Sequence, residues 1–117
     1  VICVHLSLLE THRTQQMSML CDLVRRDIPA RAPVVVAGDF NDWRCRAHAQ
    51  LAHGVNLREV FVQAQGQAAR TFPARMPMLR LDRIYVRNTA SHSPIVLPSK
   101  PWSHLSDHAP LAAHINL

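Results

Sequence analysis

The stretch Val34-Val35-Val36-Ala37-Gly38-Asp39-Phe40-Asn41 limits the fold of this chain more than any other. Three β-branched residues in succession predict a strand buried on both faces. Gly38 permits a tight turn, or a close approach by another backbone, at the end of that strand. A carboxylate and a carboxamide, Asp39 and Asn41, then follow two residues apart. In extended backbone, positions i and i+2 project to one side. The pair can therefore share a pocket in which the acid holds a water or a metal and the amide donates to a phosphate oxygen. Gly, Asp and Asn equally suit a polar turn with no chemistry, and on this stretch alone both readings stay open.

The flanking segments supply cover for such a strand. Val1 to Leu6 is an apolar run interrupted near its end by His5. It predicts a central strand covered on both faces, with His5 close to the end that opens into a site. Glu10 to Ile28 predicts a helix: Met17, Leu20, Cys21 and Val24 follow the i, i+3, i+4, i+7 spacing, and Leu23 and Ile28 widen the stripe. Thr11 is the expected N-cap and Pro29 the stop. The order strand, helix, strand predicts a βαβ-like unit whose strands are parallel neighbours or are separated by one other strand.

Beyond Asn41, Asp42 is expected to cap a short helix over residues 43–53. A second short helix is expected over 56–64, then a loop to Met78. Leu81 to Val86 predicts a strand with Asp82, Ile84 and Val86 on one face and Leu81, Arg83 and Tyr85 on the other. An acid on an apolar face is costly unless paired, and Arg80 and Arg83 are its nearest partners along the chain. Strands over 91–97 and 109–117 complete the reading, with Pro110 near a strand start, where it is tolerated.

With 117 residues, nearly half of them apolar, the chain is the size of one domain. No apolar run is long enough to span a bilayer. Cys3, Cys21 and Cys45 show no paired spacing and are expected to be free thiols in a reducing, cytoplasmic setting. Cys45, His48 and His53 match no common zinc pattern. A formal charge of +5 fits a phosphate-bearing substrate. Aromatic residues are too few for a base-stacking groove, with Trp43 and Trp102 the candidates for rings near a site. Five arginines, at 70, 75, 80, 83 and 87, could contact phosphate. The chain opens within a strand pattern, so it is expected to be the C-terminal part of a longer protein.

His5, Asp39, Asn41, Asp82, Asp107 and His108 all fall at expected strand ends. Asp and Asn oxygens suit a hard cation such as Mg²⁺. A histidine held by a carboxylate suits proton handling or phosphate contact. Together these are groups for hydrolysing a phosphate ester. No serine sits in a nucleophile-elbow context, and there is no Gly-rich phosphate loop.

Gly38-Asp39-Phe40-Asn41, Leu81-Asp82-Arg83-Ile84 and Ser106-Asp107-His108 resemble, in order and spacing, the C-terminal motifs of the endonuclease/exonuclease/phosphatase superfamily, which is similar to deoxyribonuclease I. His5-Leu6 with Arg13 and Gln16 resembles the pattern upstream of them, and the chain as a whole resembles small bacterial members encoded near cardiolipin synthase. The resemblance implies an α/β (α+β) chain forming half of a four-layer α-β-β-α sandwich: one mixed β-sheet with helices on its outer face. Residues 1–117 would be the C-terminal portion of a single domain. It implies hydrolysis of phosphate esters (nucleic acid, phospholipid or inositol phosphate) with Mg²⁺ or Mn²⁺. Asp39 would orient or deprotonate the attacking water, Asn41 and His108 would contact the phosphate, and Asp82 would hold the His108 ring. His5 would add a second phosphate donor, and Asp107 with Asp39 would serve the metal. The Asn and metal-binding Glu that family members carry in their N-terminal half have no counterpart here. The chain alone is thus expected to hydrolyse poorly and to pair with the missing half, or with a second copy through an uncovered sheet face. The alternative is a non-catalytic module that binds nucleic acid or a partner and retains the motifs.

Overall fold

In the computed structural model, which describes all residues 1–117, β1 (Ile2–His5) and β2 (Val34–Asp39) lie side by side and parallel. They are linked over one face by α1 (Glu10–Asp27). β2 then pairs antiparallel with β4 (Asp82–Arg87), and β4 with the two-residue β3 (Arg58–Glu59). The result is a four-stranded mixed sheet in the order β1-β2-β4-β3. Two further helices, α2 (Arg46–Gly54) and α3 (Val60–Gln65), lie between β2 and β4 in the chain. β5 (Ser91–Ile95), the one-turn α4 (Ser99–Trp102) and β6 (Ala112–Asn116) follow. The expected α/β architecture is present, with one addition: β5 and β6 form a separate two-stranded antiparallel sheet.

The core sits under the helices. Met17, Leu20, Cys21 and Val24 of α1 meet Val34 and Val36 of β2, Leu51 of α2, Leu57 and Tyr85. Fully burying one aliphatic side chain of this kind contributes roughly 1.5–3 kcal/mol, so this face carries most of the fold's hydrophobic stabilisation. On the other face Val35, Ile84 and Val86 pack with Val60 and Phe61 of α3 and with Leu111, Ala113 and Ile115 around β6. That second cluster covers only the β2–β4–β3 side. Cys3 and His5 of β1 remain exposed. β1 is therefore an edge strand with one covered face, not the central strand its apolar run predicts. Its hydrophobic continuity reports one half-buried row, Ile2 and Val4 packed against the helix-side core, and a second, exposed row, Cys3 and His5.

Local chemistry sets the helix ends, with some differences from expectation. Leu9, not Thr11, occupies the N-cap of α1. Buried Arg13 supplies the tether instead, its Nη1 donating to the carbonyls of Ser7 and Leu8 at 3.1 and 3.0 Å. Asp42 does serve α2, but the helix starts only at Arg46: the Asp42 carboxylate accepts from the Arg46 and Ala47 N–H groups at 2.9 and 2.7 Å. The expected helix over 56–64 is divided into β3 and α3 by Glu59, a buried acid whose Oε2 accepts from the Val62 N–H at 2.7 Å. No helix is long and apolar enough to cross a membrane.

Candidate functional site

Strand register builds the site. His5 of β1 is opposite Asp39 of β2, and Asp39 is opposite Asp82 of β4. Three strand ends thus place three polar side chains in one row across the sheet, on the face away from α1. The next row is Cys3, Ala37 and Ile84. The polar row marks the point where the sheet's second face changes from packing to chemistry.

Gly38 makes this register possible. Its φ is +142°, and a Cβ there would lie 1.9 Å from the Val4 carbonyl oxygen. No side chain fits, so β1 can close on β2 only because position 38 is glycine. Backbone bonds then lock the ends: Leu6 N–H donates to the Asp39 carbonyl at 2.8 Å and Phe40 N–H to Leu81 at 2.9 Å. Asn41 takes a left-handed φ of 48°, which Asn tolerates better than most residues. It is buried, and its Nδ2 donates to the Leu6 carbonyl at 2.6 Å while its N–H donates to Asp39 Oδ1 at 2.8 Å. Asn41 therefore ties the strand ends together and fixes one oxygen of Asp39. Gln16 holds the loop after β1, its Oε1 accepting from the Ser7 N–H at 2.8 Å.

His108, 26 residues beyond Asp82, closes over this row. Its Nδ1 lies 2.7 Å from Asp82 Oδ2. A carboxylate can only accept, so the proton is on Nδ1 and the pairing expected of Asp82 is present. His108 Nε2 points toward Asp39 Oδ2 at 3.9 Å, and His5 Nε2 lies 3.7 Å from the same oxygen. The free oxygen of Asp39 thus stands between two imidazole nitrogens. Burial alone would push the His108 ring down. The hydrogen bond to Asp82 and the negative charges of Asp82, Asp39 and Asp107 outweigh it and hold the ring above the ordinary imidazole value. Asp39, Asp82 and His108 are each partly buried, whereas the His5 side chain is 79% exposed. His5 is poised at the rim with an open side.

One ligand atom from each of Asp39, Asp82 and His108 can be chosen so that all lie within 4.8 Å of one another. Asp107 is not in that group. Its carboxylate is exposed and accepts from Ser106 Oγ at 3.4 Å, and its carbonyl accepts from Ala74 N–H at 2.7 Å. Arg83 does not pair with Asp82. It lies on the helix-covered face, almost fully buried, and its Nη2 donates to the carbonyls of Asp42 and Arg80 at 3.0 Å each. Of the two tryptophans, Trp102 lines a cavity at the site, whereas Trp43 is exposed with the Arg44 guanidinium over its ring. A cavity of about 370 Å³ beside His108 and Asp82 is lined by Ile84, Trp102, Leu105 and Leu111. A larger cavity of about 610 Å³ lies at the opposite end of β4, near Arg58, Arg87 and His92; the titratable row is not there. Sequence reasoning missed Phe72, whose ring centroid is 5.1 Å from that of His108. It falls in the segment expected to be plain loop, and no periodicity marks it.

Residues 2–108 match the model of the endonuclease/exonuclease/phosphatase family. The chain is 53% identical over its whole length to the uncharacterized protein YbhP of Escherichia coli (strain K12), of which it spans 46%. A conserved protein of Enterococcus faecalis V583 has a similar solved structure, with a TM-score of 0.69 at 21% identity, covering 97% of this chain and 48% of that one. D. rerio TDP2 carrying 14 humanizing mutations matches with a TM-score of 0.63 at 22% identity, covering 97% and 52%. These likenesses show the fold, and each places this chain over about half of the other.

Proposed function

This chain belongs to the endonuclease/exonuclease/phosphatase family, and from that premise we propose that it carries the histidine–aspartate half of a site that hydrolyses phosphate esters with Mg²⁺ or Mn²⁺. The observation that carries the reading is the free oxygen of Asp39 between two imidazole nitrogens, one of them fixed by Asp82.

Each residue has a part that follows from its contacts. Asp82 keeps the His108 proton on Nδ1, so His108 exchanges protons only at Nε2, which faces Asp39. The raised affinity of the ring for its second proton keeps Nε2–H available as a charged donor to a phosphate oxygen. His5 offers a second nitrogen from the open side. Asn41 occupies Asp39 Oδ1, which leaves Oδ2 to accept a proton from an attacking water. One Nδ2 hydrogen of Asn41 is committed to Leu6, and the other is what remains for a phosphate contact.

The chemistry of the donors fits a hard cation. Mg²⁺ is usually held by one or two carboxylates together with waters and substrate phosphate. Asp39 Oδ1, which keeps a second lone pair beside its bond from the Asn41 N–H, and the second oxygen of Asp82 meet that need, and Asp107 is the further oxygen donor that the family resemblance implies. A bound cation would neutralise charge on the phosphate. His108 is not assigned to it, because its Nε2 is given to the phosphate as a donor, and a protonated ring nitrogen has no lone pair for a cation.

Substrate class is tested by assaying the whole protein on DNA, a phospholipid and an inositol phosphate, with Mg²⁺ or Mn²⁺ and after chelation. Turnover of at least one, lost on chelation and restored by the ion, is the expected result. No turnover of any phosphate ester would remove the hydrolase reading. The 117-residue chain assayed alone should be much slower than the whole protein. It spans 46% of YbhP, and the face bearing Cys3 and His5 lacks cover that the rest of the protein, or a second copy, would provide.

A further inference from the structure

The segment after α3 does more than connect it to β4. Thr71 is completely buried and bonds to both sides of the His108–Asp82 pair. Its Oγ1 accepts from the N–H of Asp82 at 3.2 Å and of Leu81 at 3.4 Å. Its carbonyl accepts from the N–H of Ala109 at 2.7 Å. One residue therefore grips the backbone that carries Asp82 and the backbone next to His108. The neighbouring contacts act in the same direction. Ala74 N–H donates to the Asp107 carbonyl at 2.7 Å, and the Phe72 ring lies against the His108 ring. The segment is itself braced as a hairpin, with Thr71 N–H donating to the Leu79 carbonyl at 2.8 Å and Phe72 bridged to Leu79.

We propose that Thr71 is a positioning residue: through its hydroxyl and its carbonyl it sets the separation of Asp82 from His108, and Phe72 limits the tilt of the His108 ring. The inference rests on the hydrolase reading for its catalytic consequence, though not for its structural one. Asp82 lies at the first residue of β4, where strand pairing runs out. His108 lies in the non-repetitive segment before β6. Nothing in either element's own pairing fixes one against the other. The Thr71 hydroxyl takes up the Asp82 N–H, which would otherwise be a donor without a partner at the start of the strand. A hydrogen bond of 2.7 Å is sensitive to displacements of a few tenths of an ångström, so loss of this brace should show at the His108 Nδ1 proton first.

The experiment compares Thr71→Val, which keeps shape and removes the hydroxyl, with Thr71→Ser, which keeps the hydroxyl, both in the whole protein. Two quantities are read: the hydrogen-bonded Nδ1–H resonance of His108 in protein with ¹⁵N-labelled histidine, and kcat and KM on whichever phosphate ester the wild type turns over. In Thr71→Val the resonance should move upfield or be lost to exchange. Its kcat should fall about 10- to 100-fold with KM little changed, the size usual for a group that orients a first-rank residue. Thr71→Ser should restore both. A folded Thr71→Val with the wild-type resonance and kcat would overturn the proposal, and so would equal losses in the Val and Ser variants. If the wild type hydrolyses no phosphate ester, the hydrolase reading fails, and the resonance alone decides whether Thr71 positions the pair. Should Thr71→Val not fold, Phe72→Leu replaces it: an unchanged His108 resonance there counts against the proposal and a shifted one supports it.

Discussion

The two faces of the four-stranded sheet solve different problems. The face under α1 and α2 is closed: Val34, Val36, Leu51, Leu57 and Tyr85 are almost fully buried and interlocked. The opposite face is closed only where α3 and β6 reach Val35, Ile84 and Val86. It ends in the row His5, Asp39 and Asp82, with His108 above it. The helix-covered face holds the strands in register. The other face uses that register to converge side chains that lie up to 103 positions apart in the chain. The lesson is a division of labour between alternate residues of the same strands. Val36 and Ala37 are neighbours in β2, yet one serves stability and the other borders the site.

The sharpest test of that division is the residue that serves both faces. Gly38→Ala would set a methyl 1.9 Å from the Val4 oxygen at a φ that side chains rarely adopt. Clash and strain together should cost about 3 kcal/mol or more. The chain should lose β1, and with it both core and site, in a denaturation experiment followed by circular dichroism. Next, a change confined to the open face should leave stability alone. His108→Ala should cut turnover roughly 10²- to 10⁴-fold with a melting temperature close to wild type. A change confined to the closed face should do the reverse. Leu51→Ala, at a fully buried position, should cost about 2–5 kcal/mol in urea unfolding while the remaining folded protein keeps its kcat.

The smallest effect is a pH dependence from His108. Its folded-state proton affinity is raised, so folding favours the protonated ring. That contribution is fully present below the ordinary imidazole value of about 6.5 and is lost as pH rises through the higher folded value. The melting temperature of wild type minus that of His108→Gln should therefore shrink from mildly acid to alkaline pH. A difference that grows with pH would show that the neutral ring is the favoured form.

The helix-covered face was legible because its signal is periodic. Met17, Leu20, Cys21 and Val24 announce α1, and the valines announce β2. What periodicity cannot show is which rows find cover. The apolar run at Val1 to Leu6 predicts a central strand, while the structure makes it an edge, because a second face depends on elements far away in the chain. Asp39, Asp82 and His108 were legible as a group only through the motifs around them. Their convergence is a matter of register, and a single sequence does not state which strand pairs with which. The expected phosphate contact Asn41 shows the limit in miniature. Two-residue spacing places it beside Asp39, but a left-handed φ turns it toward Leu6, where it holds two strand ends together. Thr71 and Phe72 were not legible at all, since Thr71 acts through bonds to backbone 10 and more residues away and Phe72 through a ring contact with the distant His108.

The central claim is that Asp39, between two imidazoles, is the working carboxylate of a phosphate-ester hydrolase. The direct measurement is turnover of a phosphodiester by the whole protein and by its Asp39→Asn variant, with Mg²⁺ and with Mn²⁺, alongside their melting curves. Asn keeps the acceptor for the Asn41 N–H and removes the charge. The expected result is an unchanged melting temperature and a fall in kcat of roughly 10²-fold or more that neither ion rescues. A well-folded Asp39→Asn protein that turns over the diester at the wild-type rate would contradict the claim and place the chemistry elsewhere in the molecule.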